Sequence, residues 1–183
     1  MDFVVTGVKM NMKENLETYS LIRLFDTSNE WLYEHFIKLS DHDLYLRFGH
    51  RPSNEKVKEY LTKTVRNDNT RDNADFWFAI KDGVEIVATL HVAIRGDTAE
   101  FGFTVDENHR GKKLGQLLFA RGFQMTSEYS IREIYMACLS ENAAMKHIAR
   151  KFGLNIKSYG TDTESTLEVP KSALFKQYMD VVA

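Results

Sequence analysis

Between Asp75 and Val105 lie three short, largely apolar runs, FWFAI (76–80), EIVATLHVAI (85–94) and AEFGFTV (99–105), the last alternating between two faces. The pairs Asp82-Gly83 and Gly96-Asp97 separate them. β-Branched and aromatic enrichment with tight Asp/Gly turns between the runs predicts an antiparallel three-stranded meander. On either side the period lengthens. Leu32, Phe36 and Leu39 share one helical face behind Ser28 or Asn29 as cap. Val57, Tyr60, Leu61 and Val65 share another behind Pro52-Ser53, with 40–52 between them reading as a loop. After the meander, His109–Phe119 leads into a helix reaching about Tyr129. EIYMACL (133–139) reads as a strand, and 142–152 as a helix striped by Met145, Ile148, Ala149 and Phe152 and stopped by Gly153. Thr18–Phe25, 155–158 and 166–169 complete the strands, and 173–181 is a last short helix. Residues 1–15 are either a loose extension or hold a strand at Phe3–Val8.

The predicted order is β-α-α-β-β-β-α-β-α-β-β, one βαβ unit joined to an antiparallel meander. It predicts an α/β (α+β) fold with a mixed, mostly antiparallel central sheet and helices on both faces. A chain of 183 residues without linker or repeat reads as one domain, 1–183.

Charge and composition narrow the function. A net charge of −2 gives no basic field for nucleic acid or an anionic membrane. The single Cys138 excludes a disulfide framework and any cysteine-built zinc cluster, as suits a reducing compartment. The six histidines show no ligand spacing, Asp41-His42-Asp43 reads as a solvated loop, and no metal is expected. With no signal peptide and no run of about 20 apolar residues, a soluble, cytoplasmic protein is expected.

One stretch carries chemistry. Arg110-Gly111-Lys112-Lys113-Leu114-Gly115-Gln116 joins a strand to a helix. A helix start offers about four unpartnered N–H groups and a partial positive charge. A glycine turn adds further N–H groups, and three cations surround them. That suits a pyrophosphate, although the spacing is neither a P-loop nor a dinucleotide fingerprint. The plain alternative is a basic helix start with incidental glycines.

Here the chain resembles the GNAT (Gcn5-related N-acetyltransferase) superfamily. Its acyl-CoA motif, Arg/Gln-x-x-Gly-x-Gly/Ala, is matched by Arg110 and Gly115, with Lys113 where the first glycine is usual. An Asn opening the next helix and a terminal Lys-x-Gly-Phe are matched by Asn142, Lys151, Gly153 and Leu154. LSDHDLYLRF (39–48) looks like a segment of protein-lysine acetyltransferases fused to acyl-CoA ligase-like domains. The resemblance spans Tyr19 to Val169. It implies a GNAT fold and acetyl-CoA as cosubstrate, transferred to an amine by direct attack in a ternary complex. It also implies pantetheine alignment by the backbone at Phe103, Thr104 and Val105, and pyrophosphate held by 110–116. The acceptor would be a small molecule or a protein lysine or N-terminus, facing the first two helices and the 40–52 loop. A homodimer is compatible with this reading. The non-catalytic alternative is an acyl-CoA sensor or regulatory domain.

Acyl transfer needs a neutral amine, and at a lysine-like pKa near 10.4 only about one in 2,500 is neutral at pH 7. Glu100 alternates with Gly102 and Thr104 on the face opposite Ala99, Phe101, Phe103 and Val105. A glutamate in a strand covered on both faces would need a role. It also stands where several superfamily members carry their base, so Glu100 is the expected base; the alternative is a solvated strand start. Asn142 is expected to cap its helix and, by resemblance, to meet the pantetheine arm. Where many members carry a tyrosine acid the chain has Ala149, leaving Tyr135, Tyr159 or water. Cys138 alternates with Ile134 and Met136 and reads as a core thiol. His91 either faces the substrate cleft or, on the plainer reading, is packed or solvated, and the Trp31, Tyr33 and Phe36 cluster reads as packing.

Overall fold

The three runs pair as hairpins because the Asp/Gly turns reverse the chain and the backbone N–H and C=O groups of each strand find partners on its neighbour. In the computed structural model, which describes residues 19–25, 29–65, 70, 72–126 and 128–169, β2 (Asn73–Asp82), β3 (Glu85–Arg95) and β4 (Thr98–Val105) form that meander. β1 (Tyr19–Leu24) adds to its β2 edge. β4 pairs in parallel with β5 (Glu133–Leu139) through α4 (Leu114–Thr126), the expected βαβ unit. After α5 (Ala143–Lys151), β6 (Asn155–Tyr159) and β7 (Asp162–Glu168) complete a seven-stranded sheet of order β1-β2-β3-β4-β5-β7-β6. Every pairing except β4–β5 is antiparallel. The 1–15 extension with its Phe3–Val8 strand, the Ser28 cap and the 173–181 helix lie outside the described residues.

Alternation divides the core into two layers. Phe76, Phe78, Ile80, Phe101 and Phe103 pack with α4 and α5, where Phe119 stacks on Phe152 at 4.1 Å. Trp77 and Ala79, the intervening residues of β2, face Leu32, Phe36, Val57 and Leu61 of α1 (Asn29–Lys38) and α3 (Asn54–Thr64). Gly122 lets α4 lie close on the sheet, since a Cβ there would stand 2.8 Å from Leu90 and Phe101. No helix among the described residues is long and apolar enough to cross a membrane.

One expectation is overturned. Residues 41–48 of the predicted 40–52 loop form a helix, α2 (Asp41–Phe48). Its start is a capping arrangement: the Ser40 hydroxyl accepts the Asp43 amide at 3.1 Å and donates to the Asp43 carboxylate at 2.7 Å. Gly49, at φ 72°, ends it in the left-handed conformation. The Ser-x-x-Asp spacing was its only local signal. Leu44 is its sole buried residue, so apolar periodicity could not reveal it.

Candidate active site

β4 and β5 pair over only three residues, Thr98–Glu100 with Glu133–Tyr135. Beyond Glu100 they diverge, and their facing backbone groups lose sheet partners. The gap opens into a cavity of about 580 Å³, flanked by Gly102–Val105 of β4 and by Ala137 and Cys138 of β5. α2 closes one side, and the starts of α4 and α5 form the outer end.

The turn before α4 supplies unpartnered donors there. Gly111 and Lys113 adopt positive φ, 75° and 60°. The Lys113 carbonyl caps α4 by accepting the Gln116 and Leu117 amides at 3.0 and 3.1 Å. Among the described residues no backbone acceptor takes the amides of 111–115. Arg110, Gly111, Lys113, Leu114, Gly115 and Gln116 line the cavity, so the set fits a pyrophosphate. Lys112 does not line it; its Nζ donates to Tyr19 Oη at 3.0 Å. The Arg110 guanidinium pairs with Asp43 of α2. Gly115 lines the cavity and also sets how two helices pack. The space a Cβ would fill is taken by Ile148 Cδ1, 2.8 Å away, so the glycine lets α5 approach α4.

Asn142 does what its position suggested. Its Oδ1 accepts the Met145 amide at 3.0 Å, capping α5, while its amide group has no hydrogen-bond partner among the described residues and the residue lines the cavity. Gly153, at φ 72°, stops the helix, and Lys151 Nζ ties α5 to Gln116 of α4 at 2.7 Å. Phe103 and Thr104 line the cavity with their side chains committed elsewhere. Phe103 belongs to the α4 layer. The Thr104 hydroxyl joins a buried chain on the opposite face: His35 Nδ1–H donates to the Ile86 carbonyl at 2.9 Å, so Nε2 accepts from Thr104 at 2.7 Å. Thr89 in turn donates to Thr104 at 2.6 Å. Burial lowers the His35 pKa to about 4, keeping it neutral.

The β3–β4 register places Glu100, Gly102 and Thr104 opposite Ala93, His91 and Thr89. The expectation that Glu100 is covered on both faces fails. α2 covers Gly102 with Arg47, whereas Glu100 is exposed and forms no hydrogen bond or ion pair among the described residues. It lines a second cavity of about 260 Å³ that shares Arg47 and Gly102 with the larger one.

A hydrogen-bonded chain missed by sequence reasoning crosses this cavity. Arg47 donates to Tyr60 Oη at 2.8 Å, Tyr60 to His91 Nδ1 at 2.8 Å, and His91 Nε2–H to Asp75 at 2.9 Å. Asp75 also accepts a two-pronged contact from Arg95 at 3.1 and 3.0 Å. Burial raises the Tyr60 pKa and lowers that of His91, which stacks on Trp77 at 4.5 Å. Burial pushes the Asp75 carboxyl upward, but His91 and Arg95 outweigh it and hold it below its ordinary value. Arg47, Tyr60, Asp75 and His91 come from four elements, and no local spacing links them.

The candidates for a thiol-side acid fare poorly. Ala149 is fully buried, and no tyrosine among the described residues lines the larger cavity. Tyr135 donates to Glu164 at 3.1 Å, and burial together with that carboxylate raises its pKa to about 12. Tyr159 lies exposed on β6. Cys138, read as a core thiol, is only half-buried because β5 leaves β4 at its level; it lines the larger cavity, and burial raises its pKa. Among the described residues no three His, Cys, Asp or Glu side chains are grouped to hold a metal.

Solved structures share this architecture. The GNAT domain of S. lividans PAT is 20% identical with a TM-score of 0.68, over 81% of this chain and 89% of that one. RimL, a ribosomal L7/L12 α-N-protein acetyltransferase solved with coenzyme A, is 15% identical at TM-score 0.66, over 84% and 95%. Spermidine N-acetyltransferase from Vibrio cholerae, solved with CoA and spermine, is 15% identical at 0.63, over 82% and 95%. At such identities the likeness is one of fold. A family model is more specific: residues 30–154, well over half the chain, match the acetyltransferase (GNAT) family. The splayed strands, the free amides before α4 and this match agree, and the chain belongs to the acetyltransferase (GNAT) family.

Proposed function

We propose that the protein is an acyl-CoA-dependent N-acetyltransferase. The observation that carries this reading is the divergence of β4 from β5 beside a turn whose five amides, 111–115, have no backbone acceptor among the described residues. Acetyl-CoA, when bound, supplies an activated thioester. The amides of 111–115 hold its pyrophosphate, with Lys113 and Arg110 adding charge. The β5-facing side of the Phe103–Val105 backbone, which has no sheet partner there, and the amide group of Asn142 hold the pantetheine arm. The acceptor amine enters from the second cavity, and Glu100 takes its proton, directly or through water, as the nitrogen attacks. Thiols have pKa values near 8.5, so the CoA thiolate departs without a tyrosine acid.

Glu100→Gln is the test. Acetyl-CoA affinity by calorimetry should be unchanged, while amine-dependent CoA release should fall by about 10²-fold or more. Unchanged release removes Glu100 from the mechanism. The absence of any tyrosine among the described residues lining the larger cavity, with Ala149 where many members carry a tyrosine acid, favours a second reading, a non-catalytic acyl-CoA sensor. That reading prevails if acetyl-CoA binds and no amine in a broad panel stimulates CoA release.

A further inference from the structure

The charges around the smaller cavity do not all cancel among themselves. Asp75 is matched by Arg95, with which it forms a two-pronged ion pair, and it also accepts from His91. His91 is neutral, since burial holds its pKa down. Two opposite charges are left without ion-pair partners among the described residues, the Arg47 guanidinium and the Glu100 carboxylate.

Arg47 is held in place. Its guanidinium donates to Tyr60 and lies 5.3 and 5.8 Å from the Phe48 and Tyr60 ring centres. Gly102 makes its room, because a Cβ there would stand 2.5 Å from Nη2 and 2.7 Å from Cζ. Its Nε is buried with no hydrogen-bond partner. A buried, unsatisfied donor is costly, and a planar guanidinium fork matches a carboxylate. Arg47 lines both cavities, next to the β4 backbone at Gly102.

We infer that the acceptor is a small molecule bearing both an amine and a carboxylate, of the α-amino acid class, whose carboxylate is held by Arg47. This rests on the N-acetyltransferase reading and deepens it. The carboxylate neutralises Arg47, and the ammonium group lies toward Glu100, which removes its proton. The neutral nitrogen then forms the new N–C bond to the acetyl carbon as the C–S bond breaks, the electron pair leaving with the CoA thiolate. As the amide forms, the nitrogen sheds a second proton, which the thiolate takes up directly or through water. A cavity of about 260 Å³ holds a molecule of that size. A polyamine would set one of its positive groups against Arg47 with no carboxylate to offset it, which disfavours polycationic acceptors.

The test compares free amino acids with their decarboxylated amines, alongside polyamines and lysine peptides, by CoA release and by mass of the product. The wild-type protein should favour the amino acid over its decarboxylated counterpart by at least about 100-fold in kcat/KM. Arg47→Gln should erase that preference chiefly through KM. Gly102→Ala, which displaces the same guanidinium, should weaken it as well, so the inference does not hang on one variant's folding. Arg47→Lys, keeping charge without the fork, should restore part of it. Equal use of decarboxylated amines, or preferential use of polyamines or lysine peptides, overturns the inference and leaves the transferase reading standing. Acetyl-CoA binding without turnover of any amine, or no acetyl-CoA binding, overturns both.

Discussion

Lys113 is the residue at which backbone and side chain make separable contributions to the cradle. It sits at φ 60°, in the left-handed region, at the position where the superfamily motif usually has glycine. For a residue with a Cβ that conformation costs roughly 1–2 kcal/mol. Replacing it with glycine relieves the strain but gives the unfolded chain more freedom, worth about 0.4–1 kcal/mol. Lys113→Gly should therefore stabilise the protein by on the order of 0.5–1 kcal/mol, a rise of about 1–3 °C in Tm for a chain of this size. Because the donors at 111–115 are backbone amides, CoA affinity should fall only a few-fold, the share of one exposed charge. Lys113→Asn, tolerant of positive φ, should behave similarly, whereas Lys113→Val should destabilise. Differential scanning calorimetry and titration with CoA measure the two effects in the same samples. A lower Tm for Lys113→Gly refutes the strain argument. A loss of more than about tenfold in affinity means that the lysine charge, not the amides, holds the phosphates.

Two further outcomes follow from the same geometry. His35 has a folded pKa of about 4 against an ordinary 6.5, so the unfolded chain binds the extra proton between those values. Its contribution is thus complete above pH 6.5 and is lost as pH falls toward 4, on the order of 3 kcal/mol in all. Urea unfolding across pH 7 to 4.5 should show this slope, and His35→Gln should flatten it; a slope unchanged in the variant assigns it to other groups. At Asn142 two substitutions separate capping from ligand binding. Asn142→Asp keeps the cap on Met145 but loses the free amide donors, so stability should hold while CoA affinity drops. Asn142→Ala should lose both, with about 1 kcal/mol of stability. Equal affinities for the two variants and the wild type would limit Asn142 to the cap.

What local pattern could express, the sequence expressed. The meander, the βαβ unit and the α5 stop at Gly153 follow from alternation, turn residues and positive-φ glycine. The cavity contacts of Arg110, Gly111 and Asn142 follow from a strand-to-helix turn and a helix cap. α2 was missed because one buried leucine makes no periodic stripe. The local burial of Glu100 was misjudged because its cover depends on where α2 ends its reach across the sheet. The packing of Ile148 against Gly115 has no local signal, since Ile148 arrives from another helix.

The sequence by itself determined the strands, every helix among the described residues except α2, the order of those elements, the two apolar faces of the sheet and the turn that frees the 111–115 amides. These depend on neighbours a few residues apart, whose spacing is written in the chain. Only the tertiary structure decided that β4 and β5 part after three paired residues, that Arg47 fills the space above Gly102, and that Asp75, His91 and Tyr60 form one hydrogen-bonded chain. Those contacts join residues tens of positions apart, and they exist because strand register and helix packing bring them into hydrogen-bond range.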